Sequence, residues 1–458
     1  MPEPSHMHPA YADRFRCIGP ACEDICCQGW TVPVDQASWE KYQHLPPSPL
    51  RSLIDTSILR TAPNEDAPKH EQKPPFATIR MDSANQCPLL TADRLCAIQA
   101  EFGEEMLSHT CRTYPRIVHE LGGVREESLA LSCPEAARLV LLSPDLLSPN
   151  PLTSSHPGEQ PVPVELAAPA ELIAPNSLTQ PAQTPLPPNF APIRDTILAL
   201  VRDRSYPLWQ RLFLLSILCQ RLDAIARGEL TRPVPEFLED FHATAATAAL
   251  HPAMDSLPGD PKAQLDIVLR LAGLMLHKSN IRPRFVECIQ AFTTGIGNGP
   301  GSTLESLTAH YNFAHDRYFQ PFFQRHPHIL ENYLVNTILR CQFPFGKEGM
   351  RPAALPEMSR EFALLTAQLT LVKGLLIGVA GFHRDSFAEA HVVHTVQAAA
   401  KHFEHHPEFL SMAHALLVES HMDDARGIAV LLRNGTEQTP SSGPAPASPS
   451  VETPARQP

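Results

Sequence analysis

The sequence predicts a mainly α-helical protein, with an N-terminal cysteine-rich metal-binding region over 1–142 followed by an α-helical array over 193–435. Three observations carry that expectation. Eight of the eleven cysteines fall in the first third of the 458-residue chain: Cys17, Cys22, Cys26, Cys27, Cys87, Cys96, Cys111 and Cys133. From residue 193 onward, apolar side chains recur at steps of three and four, the period of one face of a helix. Between the two regions, 143–192 is too rich in proline and too poor in large apolar residues to build a core. It is expected as a disordered linker, and 436–458, of the same character, as a disordered tail.

Thiolates gathered at short spacing are what zinc and iron–sulfur clusters take as ligands, whereas in a secreted chain the same count reads as disulfides. The opening MPEPSHMHPAYADRFR lacks the apolar segment of a signal peptide, so the chain is expected in the reducing cytoplasm, where metal ligation outranks disulfides. The vicinal pair Cys26-Cys27 agrees, because neighbours rarely bridge each other without strain. A formal net charge of -12 argues against nucleic acid, which needs clustered Lys and Arg, and suits a basic protein substrate. No membrane partner is expected either. The most apolar stretch, 362–381, carries Thr366, Gln368, Thr370 and Lys373 and reads as a buried helix.

Along the first region, Trp30, Val32 and Val34 alternate with smaller or polar residues as in a brief strand, and Asp35 is placed to cap a helix that follows. Residues 45–76, dense in proline and charge, read as a long surface excursion. Cys87-Pro88 opens a turn-rich loop. Ile98, Phe102, Met106 and Leu107 then predict one amphipathic helix over 98–110. Pro134 belongs in a first helical turn, which sets Cys133 at a helix N-terminus where the dipole favours a thiolate. Beyond the linker, helical spacing is found over 193–203, 207–229, 263–277, 281–292, 327–342, 357–381, 387–406 and 407–420. An array of eight to ten helices is the expected body.

CIGPACEDICCQGWTVPVD at 17–35, the block closing with Cys96-Ala97-Ile98-Gln99, TCRTYPR at 110–116, SLALSCPEAARL at 128–139 and ENYLVNTILRCQFPFG at 331–346 together resemble the flagellin lysine-N-methylases of bacteria. The cysteine blocks alone also resemble a wider group of small cysteine-rich, metal-chelating proteins. The block at 331–346, outside them, narrows the resemblance to the methylases. It implies methyl transfer from S-adenosylmethionine to flagellin lysines, with an iron–sulfur cluster held by the cysteine region and zinc as the alternative metal. A four-iron cluster takes about four thiolates. Cys26, Cys27, Cys87, Cys96 and Cys111 are the favoured pool because the wider group carries those blocks together, and Cys17, Cys22 and Cys133 complete the candidate set. Cys219, Cys288 and Cys341, each alone in an apolar helix, read as inert thiols. Cys22 and Cys26 have the first spacing of a radical Cys-x3-Cys-x2-Cys motif, but Gly29 stands in its third position. Displacement at the sulfonium methyl is therefore the expected chemistry.

Glu23, Asp24, Trp30, Asp35, Tyr114 and Glu135 lie near the cysteines, where carboxylates could take a lysine's proton and aromatic faces could hold methylamines. The structural alternatives are capping for Asp35, surface ion pairing for Glu23 and packing for Trp30. Asn332, Tyr333 and Asn336 share a helical face, and either line a polar pocket or satisfy buried backbone groups. The glycine-rich stretch 293–302 follows a helix-like segment instead of a strand and reads as a loop more than as a nucleotide cradle. His402, His405 and His406 read as helix-end residues. No catalytic base or donor site is assigned. Two other function classes stay open: a non-catalytic metal-binding or assembly protein, and a redox sensor built on the vicinal thiols.

Overall fold

The computed structural model describes residues 11–61, 75–121, 124–147, 186–247, 250–276, 282–350, 355, 357–404 and 407–434. The tail and most of the linker, 148–185, lie outside the described residues. The protein is mainly helical, as expected. Its axis is the helix Met358–His383, in which every residue from Phe362 to Ala380 is buried. It is long and apolar enough to cross a bilayer, yet its apolar window is wholly enclosed by the protein. The helices Leu208–Ala226, Pro261–Leu276, Pro283–Gly295, Leu304–Ala314, Glu389–Phe403 and Pro407–Glu419 pack around it.

Glycine lets two of these helices approach closely. A Cβ on Gly295 would fall 1.8 Å from the Gly378 carbonyl oxygen, and one on Gly378 would strike Phe292. The glycine-rich stretch is thus a helix end packed on the axis, followed by a turn and the Thr303 cap of the next helix. Elements that helical spacing did not mark include the helix Val234–Ala245 and a π-helical turn, His315–Phe319, which carries the chain from Leu304–Ala314 into Gln320–Arg325.

The first third builds a small separate core around a three-stranded antiparallel sheet in the order β1-β3-β2, with β1 Val32–Val34, β2 Ile58–Arg60 and β3 Ala77–Ile79. Tyr42, Leu50, Ile54, Leu89, Ile98 and Leu107 fill it. The expected strand is present, as is the helix Gln36–Gln43, whose first turn is capped by Asp35 through the Ser38 N–H. The surface excursion at 45–76 is corrected where it is described. Ser48 caps a helix, Pro49–Ser57, and Leu50, Ile54 and Ile58 turn inward at four-residue steps. The single helix expected over 98–110 is also corrected. Gly103, at φ +88°, ends the helix Ala97–Phe102, and Ser108 caps a new one, His109–Thr113. A left-handed residue cannot continue an α-helix.

An antiparallel hairpin, β4 Arg116–Leu121 and β5 Val124–Leu129, follows. It belongs to the large core, together with Tyr11, Phe15, Leu131, Val140 and Leu146. Phe190, from the far end of the proline-rich stretch, joins the same core and opens the helix Phe190–Arg202. The two cores therefore meet inside the cysteine region, with its loops at the seam.

Candidate functional site

All eight cysteines of the first third line one cavity of about 420 Å³. Local structure brings each loop there. The Cys87 N–H donates to the Cys27 carbonyl at 2.8 Å, and Gln28 bridges Gln86, so the second cysteine loop is clipped to the first. A bridge between Leu90 and Cys96 closes the turn between Cys87 and Cys96. Ser108 caps the short helix that carries Cys111, and Cys133 is the N-cap of Pro134–Leu141, the helix end expected for it.

The helical body grips these loops from behind. The Lys401 ammonium pairs with Asp24 at 2.6 Å and donates to the Ile25 carbonyl at 3.0 Å. Gln397 donates to Asp24 at 2.7 Å and to the Ser132 carbonyl at 2.9 Å. Glu404 accepts from the Ser132 N–H at 3.1 Å, and Arg282 donates to the Gln28 carbonyl at 2.8 Å and to that of Gly29. Gly29 lies at φ +78°, and a Cβ there would stand 2.5 Å from the Arg282 guanidinium. The position that a radical motif would give to a third cysteine is thus held in a left-handed backbone conformation that side chains rarely adopt, against the Arg282 guanidinium.

The Cys26 and Cys27 sulfurs are 4.0 Å apart. A hydrogen bond from Cys27, aided by the Lys401 charge, brings the Cys26 thiol down to about 7, while the same contact drives Cys27 up. Desolvation in the cavity raises Cys87 to about 12 and Cys111 to about 11. At Cys133 the expected benefit of the helix end is outweighed. The Ala136 and Glu135 N–H groups favour the thiolate, but desolvation carries the thiol to about 12.

A tetrahedral zinc site brings its sulfurs to about 3.8 Å from one another. Among the described residues, no three Cys, His, Asp or Glu side chains are grouped to hold a metal ion. The thiols converge on a cavity without closing on one point. Arg16, Arg94, Arg112 and Arg116 also line it, against the carboxylates of Asp24 and Glu104.

The carboxylates singled out as lysine acceptors are engaged in structural contacts. Asp24 is bound as above, and Glu23 and Glu135 both pair with Arg138. Asp35 accepts from the Ser38 N–H at 2.8 Å and the His109 N–H at 2.9 Å, which ties the Cys111 segment to the first strand. Trp30 donates to the Cys26 carbonyl at 2.7 Å and its ring lies 5.9 Å from that of Tyr114. Asn332 and Asn336 satisfy buried backbone. Asn332 donates to the Val140 and Ser143 carbonyls at 2.9 and 2.7 Å; Asn336 accepts from Tyr11 at 2.8 Å and exchanges two hydrogen bonds with Leu129. Tyr333 is buried beside them. His402 stacks on Phe285 at 4.2 Å, while His405 and His406 lie outside the described residues. Cys219 and Cys288 are buried in the large core. Lys401, Gln397 and Arg282 were missed from sequence, because nothing in their local pattern marks a partner more than 250 residues away.

Residues 194–431 match the family described as the FliB lysine N-methylase C-terminal domain. Over 149 residues, 32% of this chain, it is 34% identical to the lysine-N-methylase of Salmonella typhimurium. It is 33% identical over 149 residues to the lysine-N-methylase of Salmonella choleraesuis and to the flagellar biosynthetic protein FliU of Salmonella muenchen. The matched stretch is 35% of each lysine-N-methylase and 83% of FliU, so the chain spans about a third of the length of the two relatives named for the activity. No solved structure matches it. With a match that runs through the helical body from Arg194 to Leu431, the chain belongs to the FliB lysine N-methylase family.

Proposed function

We propose that the chain is a protein-lysine N-methyltransferase that moves methyl groups from S-adenosylmethionine to surface lysines of flagellin. The family match over 194–431 carries this reading; relatives named lysine-N-methylase and flagellar biosynthetic protein support a lysine substrate in a flagellar setting. In the reaction, a neutral lysine amine attacks the methyl carbon, the new N–C bond forms, and the C–S bond breaks with its electron pair left on sulfur. The products are methyl-lysine and S-adenosylhomocysteine. The lysine's proton leaves to water beforehand; the carboxylates near the cysteines are held by Lys401, Arg138 and backbone N–H groups and are not its acceptors.

The thiol cavity is read as the seat of an iron–sulfur cluster. Its donor chemistry fits one: eight thiols face about 420 Å³, and sulfurs spread around a space suit a polynuclear centre better than a single zinc ion. Cys26, Cys27, Cys87, Cys96 and Cys111 form the ligand pool. When bound, such a centre supplies an anionic link among three chain segments. The arginines on the cavity wall neutralise an anion and repel an ammonium, so the substrate lysine reacts outside this cavity.

The test is anaerobic purification, metal and sulfide analysis, and incubation with flagellin and methyl-labelled S-adenosylmethionine. Iron and sulfide in comparable amounts, with label on flagellin lysines, are expected. Zinc alone overturns the cluster, and a fully loaded protein that transfers no label overturns the enzyme.

A further inference from the structure

Two cations of the helical body clasp the loop that carries the vicinal cysteines. Lys401, on the helix Glu389–Phe403, pairs with Asp24 at 2.6 Å and donates to the Ile25 carbonyl, one residue before Cys26. Arg282, the residue before the helix Pro283–Gly295, donates to the Gln28 and Gly29 carbonyls, which follow Cys27. Lys401 is buried and Arg282 half-buried. Burial lowers the Lys401 pKa, Asp24 and Cys26 raise it and Arg282 lowers it further, so all four stand within electrostatic reach of one another.

The charges in this group do not balance. Among the described residues Asp24 is ion-paired with Lys401, and Arg282 meets only backbone carbonyls. One positive charge is left in excess behind Cys26 and Cys27, in a chain whose formal net charge is -12. The cavity in front adds to the excess. Of the arginines on its wall, Arg16, Arg94 and Arg116 bind backbone carbonyls, and none is ion-paired among the described residues. A partly buried cation without a counter-charge is costly, and an anion seated among the thiols relieves that cost.

We propose that the Arg282 guanidinium and the Lys401 ammonium raise the reduction potential of the iron–sulfur centre held by the cysteine loops, Arg282 the more strongly because no carboxylate offsets it. The inference rests on the cluster reading above and goes beyond a supporting role for the centre. An electron taken from a one-electron donor adds a negative charge to the cavity while no bond of the chain forms or breaks, and nearby cations stabilise that added charge.

The test is a potentiometric titration of the anaerobically purified full chain, with dithionite as the electron donor and absorption and electron paramagnetic resonance as readouts. Arg282→Gln keeps a hydrogen-bond donor and removes the charge. It is expected to cut the equilibrium constant for reduction about tenfold, a fall of about 59 mV for one electron, with iron and sulfide content unchanged. Asp24→Asn, which keeps an acceptor for Lys401 and Gln397, is expected to raise the potential, and Arg282→Lys to leave it near the wild-type value. A purely structural role for Arg282 gives the opposite sign, because a loosened loop admits water, which also stabilises the reduced charge. A potential that rises or stays fixed in Arg282→Gln overturns the inference, as does one that falls in Asp24→Asn or a centre that dithionite does not reduce; in each case iron and sulfide remain, and the cluster reading stands. Zinc without sulfide in the wild-type chain refutes the cluster reading, and this inference with it.

Discussion

At position 401, a lysine whose side chain is 2% exposed meets an aspartate whose side chain is 13% exposed, two residues before the vicinal cysteines. Burial pulls the lysine's pKa down and Asp24 pushes it back up, so each charge is tolerated only because of the other. Removing Lys401 leaves Asp24 without its counter-charge, with Gln397 still donating to it. Lys401→Met is therefore expected to destabilise the protein at the low end of roughly 3–5 kcal/mol, since Asp24 keeps some access to water. Lys401→Arg restores part of that by keeping the cation. Urea unfolding monitored by circular dichroism checks both, and a midpoint unmoved by Lys401→Met rules out the structural role. The same contact explains what the resemblance left blank. The cysteines were legible as a set because thiols at short spacing have few other uses. The residues that hold them to the body, Lys401, Gln397 and Arg282, read locally as ordinary helix positions, and only the fold brings them to Asp24, Ser132 and Gly29.

Among elements, the hairpin β4–β5 shows why part of the fold escaped a reading by periodicity. Its second strand is VREESL, and Glu126, Glu127 and Ser128 are all buried, so polarity along the strand misleads about which face points inward. Glu126 is buried because Arg194, on the helix Phe190–Arg202, meets it at 2.9 Å with both side chains nearly inaccessible. Arg194→Met alone is expected to cost about 3–5 kcal/mol, whereas Arg194→Met with Glu126→Leu recovers most of it, because an apolar pair needs no solvation. A double mutant as unstable as the single would disprove that account. The junction of Met358–His383 with Glu389–Phe403 responds to acid for a related reason. Burial lowers the pKa of His383, His391 and His394, and the three repel one another when charged; Arg284 adds to this at His394, while Glu287 and Asp24 oppose it. Below about pH 6.5 the unfolded chain takes up these protons before the folded one does, so stability falls as pH falls through that value. His383→Phe keeps a ring against His391, now 3.6 Å from His383, and is expected to flatten the fall. Urea midpoints at about pH 7 and about pH 5.5 measure it; a slope identical to wild type excludes the histidines as its source.

Across the whole molecule, two cores of very different size share one chain. Helical spacing made much of the large one legible, since helices such as Phe190–Arg202 and Pro283–Gly295 show an apolar face within their own sequence. Prolines hid the small one: the helix Pro49–Ser57 starts amid LPPSP, yet its Leu50 and Ile54 join Ile58 of β2 in the small core. Among the described residues that small core gathers twelve buried side chains, few for a region with this much loop, and small units of this kind commonly rely on a metal or disulfides. Here the cysteine loops lie between it and the helical body, and the body's hold on them is polar, through Asp24, Gln28 and Gly29. A metal centre in the cavity would then be the staple of the small core and would contribute little to the large one, whose axis is sealed by its neighbours. Anaerobic removal of iron is expected to leave Met358–His383 protected from amide hydrogen exchange while 32–61 and 75–107 exchange faster by about tenfold or more. Equal protection of both regions before and after chelation would mean that the small core stands on its own, and that the eight thiols are gathered there for chemistry instead of support.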